Sequence, residues 1–506
     1  MLLKEIVETS LGVGATAGRG EKVERLAALL RRLAPAEAAI GVAFLSGRLR
    51  QRQIGVGYAS IQDVAVPATE ASLSLMQVDT ALEAVGQLVG RDSQAERRRQ
   101  LASLFGSATA DEQQFLRRLV LGELRQGALE GVMQDALARA LGVGLADVRR
   151  AVMLRGDLSA VAEAGFRDGP AGLGAFRLQV GQPLQPMLAQ SAPNVADALE
   201  RTSPAAVEWK LDGARVQIHV LGTDVRVFSR SLDDITSRVP ELVEMASGLP
   251  VRCLVLDGEA LTLRADGRPH PFQVSASRLG SRTDVERLRQ TLPLSPFVFD
   301  VLHIDGEDLV DRPAAERQAI LAAAVPERWR APRIVTADVG EAEALLRETL
   351  ARGHEGVVVK ALDAPYAAGR RGAGWIKVKP VLTLDLVILA VEWGHGRRKG
   401  WLSNLHLGAR DPADGTFVML GKTFKGLTDA MLAWQTQRLL ELESRRDSWT
   451  VYVRPELVVE IAFDAVQRSP RYPGEVTLRF ARVIRYRPDK RPDEADTIDA
   501  VRALGF

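Results

Sequence analysis

Cysteine is almost missing from this 506-residue chain, where Cys253 stands alone. One thiol can build neither a disulfide framework nor a thiolate-rich structural zinc site, and such usage fits a reducing compartment. The six histidines (His219, His270, His303, His354, His395 and His406) are scattered, with no pair at helical metal-binding spacing and no HExxH. Neither sign of charge is in excess. The 66 Lys+Arg face 64 Asp+Glu for a formal net charge of +2, which excludes a globally basic coating protein and an acidic tail protein but permits a local basic patch. No apolar run reaches the roughly 18 residues of a membrane-spanning helix, and Lys4 and Glu5 interrupt the start, so it makes a poor signal peptide. Aromatics make up only 5% of the chain, and its first third has no Trp and only Tyr58. What remains is a chain expected to be soluble and cytoplasmic, long enough at about 100–200 residues per domain for two to four domains.

The first third reads as aliphatic helix. Val23, Leu26, Leu29, Leu30 and Leu33 recur at helical spacing until Pro35. Ser93–Glu96 and Thr109–Glu112 have the pattern of capping boxes. A Gly/Pro-rich stretch from Gly165 to Pro186 is expected to break the helical pattern and mark a boundary. Beyond it the period becomes two: Val216, Ile218 and Val220, a turn at Leu221–Asp224, then Val225 and Val227 predict a hairpin. Further strands are expected near Val251–Leu256, Phe297–Ile304, Gly356–Lys360 and Trp375–Val378, with a helix over Glu341–Arg352. After Pro380 the strands are short and Gly-punctuated, with one helical insert over Thr428–Glu443, a pattern that suits a small barrel.

Several segments carry chemistry. In Glu208-Trp-Lys-Leu-Asp-Gly-Ala-Arg215, alternation can point Lys210 and Asp212 to one side, Gly213 permits close backbone approach, and Arg215 offers a fork for phosphate. A covalent lysyl–nucleotide enzyme needs such a cluster, although in isolation the segment also fits a surface strand and turn. Arg230 ends the hairpin. Glu259, expected just after a buried strand, suits a ribose hydroxyl or a hard cation as well as an acidic turn. Phe299 can stack on a base or simply fill the core. Trp375, Lys377 and Lys379 share one strand face, and two adjacent lysines favour an anion between them. Arg370 and Arg371 lie just upstream. Leu478–Lys490 sets Arg479, Arg482, Arg485, Arg487 and Lys490 against Asp489 alone, either a solvated basic strand or a phosphate clamp.

In this order and at these spacings, the segments resemble the nucleotidyltransferase motifs of ATP-dependent DNA ligases, and the likeness covers essentially the whole chain. Segment 122–130 of the helical third resembles the DNA-binding domain of three-domain ligases. The resemblance implies an all-α DNA-binding domain over 1–175, an α+β adenylation (nucleotidyltransferase) domain over 180–382 and a β-barrel OB-fold domain over 383–506. It implies that Lys210 attacks ATP to form lysyl–AMP. Glu208 then reads the adenine amino group, Phe299 stacks on the ring, and Arg215 and Arg230 contact the ribose–phosphate. Glu259 would serve the ribose hydroxyls and the metal, with Glu355 a second metal ligand for Mg2+ or Mn2+. Lys377 and Lys379 would neutralise the α-phosphate, Arg371 would lie along the nucleotide, and Asp489 and Lys490 would orient pyrophosphate. The expected partner is nicked duplex DNA, met by a monomer with no membrane association and, in a prokaryote, on the nucleoid. Clamp recruitment is left open, since no clear clamp peptide occurs. The cofactor is expected to be ATP, because ligases using NAD typically carry a four-cysteine zinc finger that Cys253 cannot build. An RNA-capping guanylyltransferase or RNA ligase, which share Lys-x-Asp-Gly, and a non-enzymatic DNA-binding clamp are the alternatives.

Overall fold

The computed structural model describes every residue except 52–53, 62–64, 89, 91–92, 125–129, 370 and 505–506. Up to Gly174 its regular elements are helical, from Leu3–Ala15 to Leu158–Gly174. Val23, Leu26, Leu29 and Leu30 line the buried side of the helix Arg19–Leu30. They join Ile40, Phe44, Leu82, Leu116 and Leu137 in one apolar core. Pro35 does not stop that helix, which already ends at Leu30. It opens the next one, Pro35–Leu45, where a missing N–H costs nothing. Glu112 accepts from the Thr109 amide at 2.9 Å, as a capping box requires, whereas Ser93 is the first residue of its helix, Ser93–Gly106. Of segment 122–130, residues 125–129 lie outside the described residues.

The helical pattern breaks inside the stretch from Gly165 to Pro186, not at its first residue. The helix runs on to Gly174, and the interruption is confined to Gly169, at φ 59° and ψ −143°, with Pro170 beginning the second piece. Gly165 serves close packing instead: a Cβ there would lie 2.5 Å from Leu141 Cδ1.

Among the described residues, ten strands follow: β1 (Leu188–Ser191), β2 (Ala205–Lys210), β3 (Ala214–Leu221), β4 (Asp224–Ser229), β5 (Cys253–Thr262), β6 (Leu294–Ile304), β7 (Glu307–Asp308), β8 (Arg333–Thr336), β9 (Gly356–Ala361) and β10 (Arg371–Val378). They form two five-stranded sheets, ordered β1-β10-β9-β2-β8 and β4-β3-β5-β6-β7. The predicted hairpin is β3–β4, turning at Gly222, φ 60°. One face of the second sheet buries Val216, Ile218, Val227, Leu254 and Leu256 with Leu242 and Met245 of the helix Pro240–Ser247. From its other face Val255, Leu261 and Leu302 pack with Tyr366 and Trp375. β5 is longer than expected and includes Glu259, because residues 254–258 and 260–262 are all buried and remain paired with β6.

After β10 come β11 (Leu382–Trp393), β12 (Leu402–Arg410), β13 (Phe417–Thr423), the helix Asp429–Glu441, β14 (Glu443–Arg446), β15 (Thr450–Val453), β16 (Val458–Phe463), β17 (Ala465–Arg468), β18 (Val476–Arg479) and β19 (Arg482–Tyr486). The long β11 pairs with β12, β15 and β16, wrapping strands around a core of Leu386, Ile388, Leu405, Leu407, Val459 and Ile461. Thr428 caps the inserted helix by accepting from the Met431 amide at 3.2 Å. The chain parts into two compact units, Met1–His354 with Val358–Lys377, and Glu355–Val357 with Val378–Phe506. No helix among the described residues is long and apolar enough to cross a membrane.

Candidate active site

β2 enters the first sheet as Ala-Ala-Val, fully buried, and ends in Glu208-Trp-Lys210. Residues two apart share a strand face, so Glu208 and Lys210 lie along one side, the acid buried and the amine half-buried at the strand's end. Asp212 and Gly213 then lead into β3. A Cβ on Gly213 would sit 2.5 Å from the Ala260 carbonyl and 2.9 Å from Glu259 Cγ. Only glycine lets this turn press against β5, and that approach brings the Lys210 end of β2 toward Glu259.

Arg215 pairs across β3 and β5 with Glu259 in register, yet its guanidinium is held by Asp257. Nε donates to Oδ1 at 2.6 Å and Nη2 to Oδ2 at 2.5 Å. Asp257 is fully buried and also accepts from the Tyr366 hydroxyl at 2.5 Å, which in turn accepts from the Met187 amide at 3.0 Å. Burial works against the Arg215 charge and Asp257 outweighs it, so the guanidinium is held more firmly protonated than usual. Its Cζ stands 4.6 Å from the centre of the Phe299 ring. Beside it, burial pushes the half-buried Glu259 carboxyl up to about 7; Arg215 and Lys210 pull it down, while Asp257 and Asp212 reinforce the rise.

The second buried pair closes the floor. Lys360, on β9, donates to Glu208 Oε1 at 2.6 Å and to the Phe299 carbonyl at 3.3 Å, with both side chains 3% exposed. Its ammonium also lies 4.6 Å from the Phe299 ring centre and 4.5 Å from that of Trp375, whose ring meets Phe299 edge-on at 5.8 Å. Behind Phe299, Arg317 grips Asp300 at 2.8 and 3.0 Å, and Gln318 donates to the Phe299 carbonyl at 2.6 Å. The result is a rigid aromatic wall flanked by two fixed cations and a buried carboxylate, next to a lysine at a strand end. That arrangement suits a nucleotide held for attack at its phosphate.

Three family models match the chain: "ATP dependent DNA ligase domain" over residues 186–379, "ATP dependent DNA ligase C terminal region" over 398–490 and "DNA ligase N terminus" over 55–138. A protein named "Probable DNA ligase" from Anaeromyxobacter sp. (strain Fw109-5) is 58% identical over 508 residues, covering 100% of this chain and 98% of that one. The chain belongs to the ATP-dependent DNA ligases. Another "Probable DNA ligase", from Mycobacterium sp. (strain KMS), is 57% identical over 520 residues, covering 100% of this chain and 99% of its own. The solved structure Pmar-Lig_PreS3 is 18% identical, covers 96% of this chain and 99% of its own, and shares the fold with a TM-score of 0.59. The middle and C-terminal parts of this ligase are accordingly its nucleotidyltransferase and OB-like portions. Enzymes of the family use ATP, usually with Mg2+, and seal DNA nicks through an adenylate intermediate.

The remaining sequence-predicted residues of the ligase are more dispersed. Arg230 is exposed in the turn after β4, and Lys377 is half-buried near the end of β10. Arg370 lies outside the described residues, and Arg371 is placed only by its backbone, at the start of β10. Glu355 precedes β9 and belongs to the second unit. Lys379 donates to Asp464 at 2.5 Å within that unit. Asp489 accepts both Nε and Nη2 of Arg487, and Lys490 donates to Asp385 at 2.6 Å. No cluster of three or more His, Cys, Asp or Glu side chains able to hold a metal occurs among the described residues. Sequence reasoning assigned no role to Asp257, Lys360, Tyr366 or Trp375. Asp257 and Lys360 stand only two and five residues from Glu259 and Glu355, the acids that drew attention, and Trp375 shares a strand face with the lysines.

Proposed function

We propose that Lys210 is the nucleophile of this ligase. Its neutral amine attacks the α-phosphorus of ATP, the N–P bond forms as the bond to pyrophosphate breaks, and the lysine proton leaves to solvent. AMP then passes to the 5′-phosphate of a nick, and the adjacent 3′-hydroxyl displaces it to close the strand. In this reading Glu208 accepts from the adenine amino group, Phe299 stacks on the base, and Arg215 and Arg230 hold the ribose–phosphate, with Arg371 alongside. Lys377 and Lys379 neutralise the α-phosphate, and Asp489 and Lys490 steer pyrophosphate when the barrel closes over the site. The half-buried Glu259 suits a Mg2+ that takes one or two carboxylates and the substrate's phosphates, with Glu355 as the other acid. Such an ion, when bound, spreads the phosphate charge. Residues 1–175 bind DNA, 180–382 carry adenylation and 383–506 form the OB-fold, in a cytoplasmic monomer acting on nicked duplex.

The observation that supports the reading best is the clamped Arg215 beside Phe299, with Lys210 among the charges acting on Glu259. The test is incubation with labelled ATP, with NAD or with no nucleotide. Lys210→Ala is expected to lose the labelled adduct and nick sealing while retaining DNA binding; sealing at the wild-type rate by that variant refutes the assignment.

A further inference from the structure

Lys360 is an unexpected residue to find at the bottom of a nucleotide site. Its side chain is 3% exposed, and it donates to Glu208, 152 residues away in sequence, at 2.6 Å. Lysine is seldom this buried unless paired. We infer that Lys360 is a specificity-determining residue: by holding Glu208 as a carboxylate, it makes the base site accept a 6-amino purine and reject a 6-oxo purine.

The inference rests on the reading above, in which Glu208 meets position 6 of the base. An ionised carboxylate only accepts hydrogen bonds, while a protonated one can also donate. The amino group of adenine is a donor, and the oxo group of hypoxanthine is an acceptor. A charged Glu208 therefore attracts the first and repels the second, whereas a neutral Glu208 can satisfy both. Burial on balance holds the Glu208 carboxyl above its ordinary value, and Lys360, in contact at 2.6 Å, is the strongest group opposing that rise. The other charged groups acting on Glu208 are Arg333 of β8, its partner in register, and Asp300 of β6. Asp300 is already matched by Arg317. Arg333 is only half-buried and shares a hydrogen bond with Gln318, so Lys360 supplies the buried positive charge in direct contact.

The experiment compares covalent adduct formation from ATP and from inosine triphosphate, with Mg2+, across pH 6 to 9. Taking the ratio of the two rates cancels the deprotonation of Lys210, which both share. Wild-type protein is expected to favour ATP at every pH. In Lys360→Met the preference should fall by at least about tenfold at pH 6, as expected when a polar group no longer discriminates, and should recover as rising pH ionises Glu208. Because that variant leaves an unpaired buried acid, Glu208→Gln/Lys360→Met is made beside it. It carries no uncompensated charge, and it should discriminate poorly at all pH values. A folded Lys360→Met, or a folded double variant, that rejects inosine triphosphate as the wild type does overturns the inference. If wild-type protein forms no adduct with ATP, it is the underlying assignment of the site that has failed.

Discussion

Tyr366 and Asp257 show how a single buried hydroxyl can govern an arginine, here the one proposed to hold the nucleotide. The tyrosine bridges the Met187 amide to Asp257, and Asp257 fixes both donors of Arg215 over the aromatic wall. Burial and the neighbouring Asp257 carboxylate push the phenol well above its usual range, so it stays a neutral donor. In Tyr366→Phe the ring still fills its place against Trp375, but the buried Met187 amide loses its partner and Asp257 Oδ2 keeps only Arg215. Leaving such an amide unsatisfied costs about 1–3 kcal/mol. Denaturant unfolding should register that loss. The KM for ATP in adduct formation should rise more than kcat falls, because Arg215 remains present but less constrained. An unchanged KM would show that Asp257 orients Arg215 without help.

At the scale of elements, the segment joining the helices to the first sheet is pinned by a histidine. His219, buried on β3, accepts from the Gly181 amide through Nδ1 at 2.9 Å, and its Nε2 meets Gln217 Oε1 at 2.8 Å. The same Gln217 oxygen accepts from the Leu184 amide at 2.8 Å. Burial, reinforced by the nearby His303, lowers His219 to about 3. The unfolded chain therefore binds a proton near pH 6.5 that the folded protein refuses, and stability falls as pH drops through the window from about 6.5 toward 3. Between pH 6.5 and 5 this group alone contributes a loss of about 2 kcal/mol. His219→Asn, which can keep an acceptor near Gly181 but does not titrate, should flatten that slope in urea unfolding; an unchanged slope would assign the acid sensitivity elsewhere. Nothing in the local sequence pointed to this clamp. The periods of two and 3.6 expose strands and helices because they reflect which face is buried, and the hairpin β3–β4 and the helix Val339–Ala351 were legible on that ground. The exact point of the break after Gly165 was not legible, because glycine marks either a break or a close contact, and only Leu141, brought beside Gly165 by folding, makes it a contact there. The Lys360–Glu208 and Tyr366–Asp257 pairs were illegible for a related reason: each joins residues more than a hundred positions apart.

Across the whole molecule the near balance of charge, 66 against 64, is reproduced locally in the second unit, where the cations proposed to meet phosphate are already matched. Asp385 takes Arg487 at 2.9 and 3.1 Å and Lys490 at 2.6 Å. For these side chains to reach pyrophosphate they must exchange a carboxylate for a phosphate, and that exchange is needed only in the step that releases pyrophosphate. Transfer of AMP from an already adenylylated nick releases none. Lys490→Ala is therefore expected to slow adduct formation from ATP by a factor of about 10–100, the loss of one charge-assisted contact of about 1.5–3 kcal/mol. Sealing of a synthetic 5′-adenylylated nick without ATP should stay within about twofold of wild type, since no such contact is lost from that barrier. Running the two assays side by side separates a role in pyrophosphate release from a structural role in the barrel. Equal losses in both would place Lys490 with Asp385 as a brace of the OB-like fold rather than a participant in the chemistry.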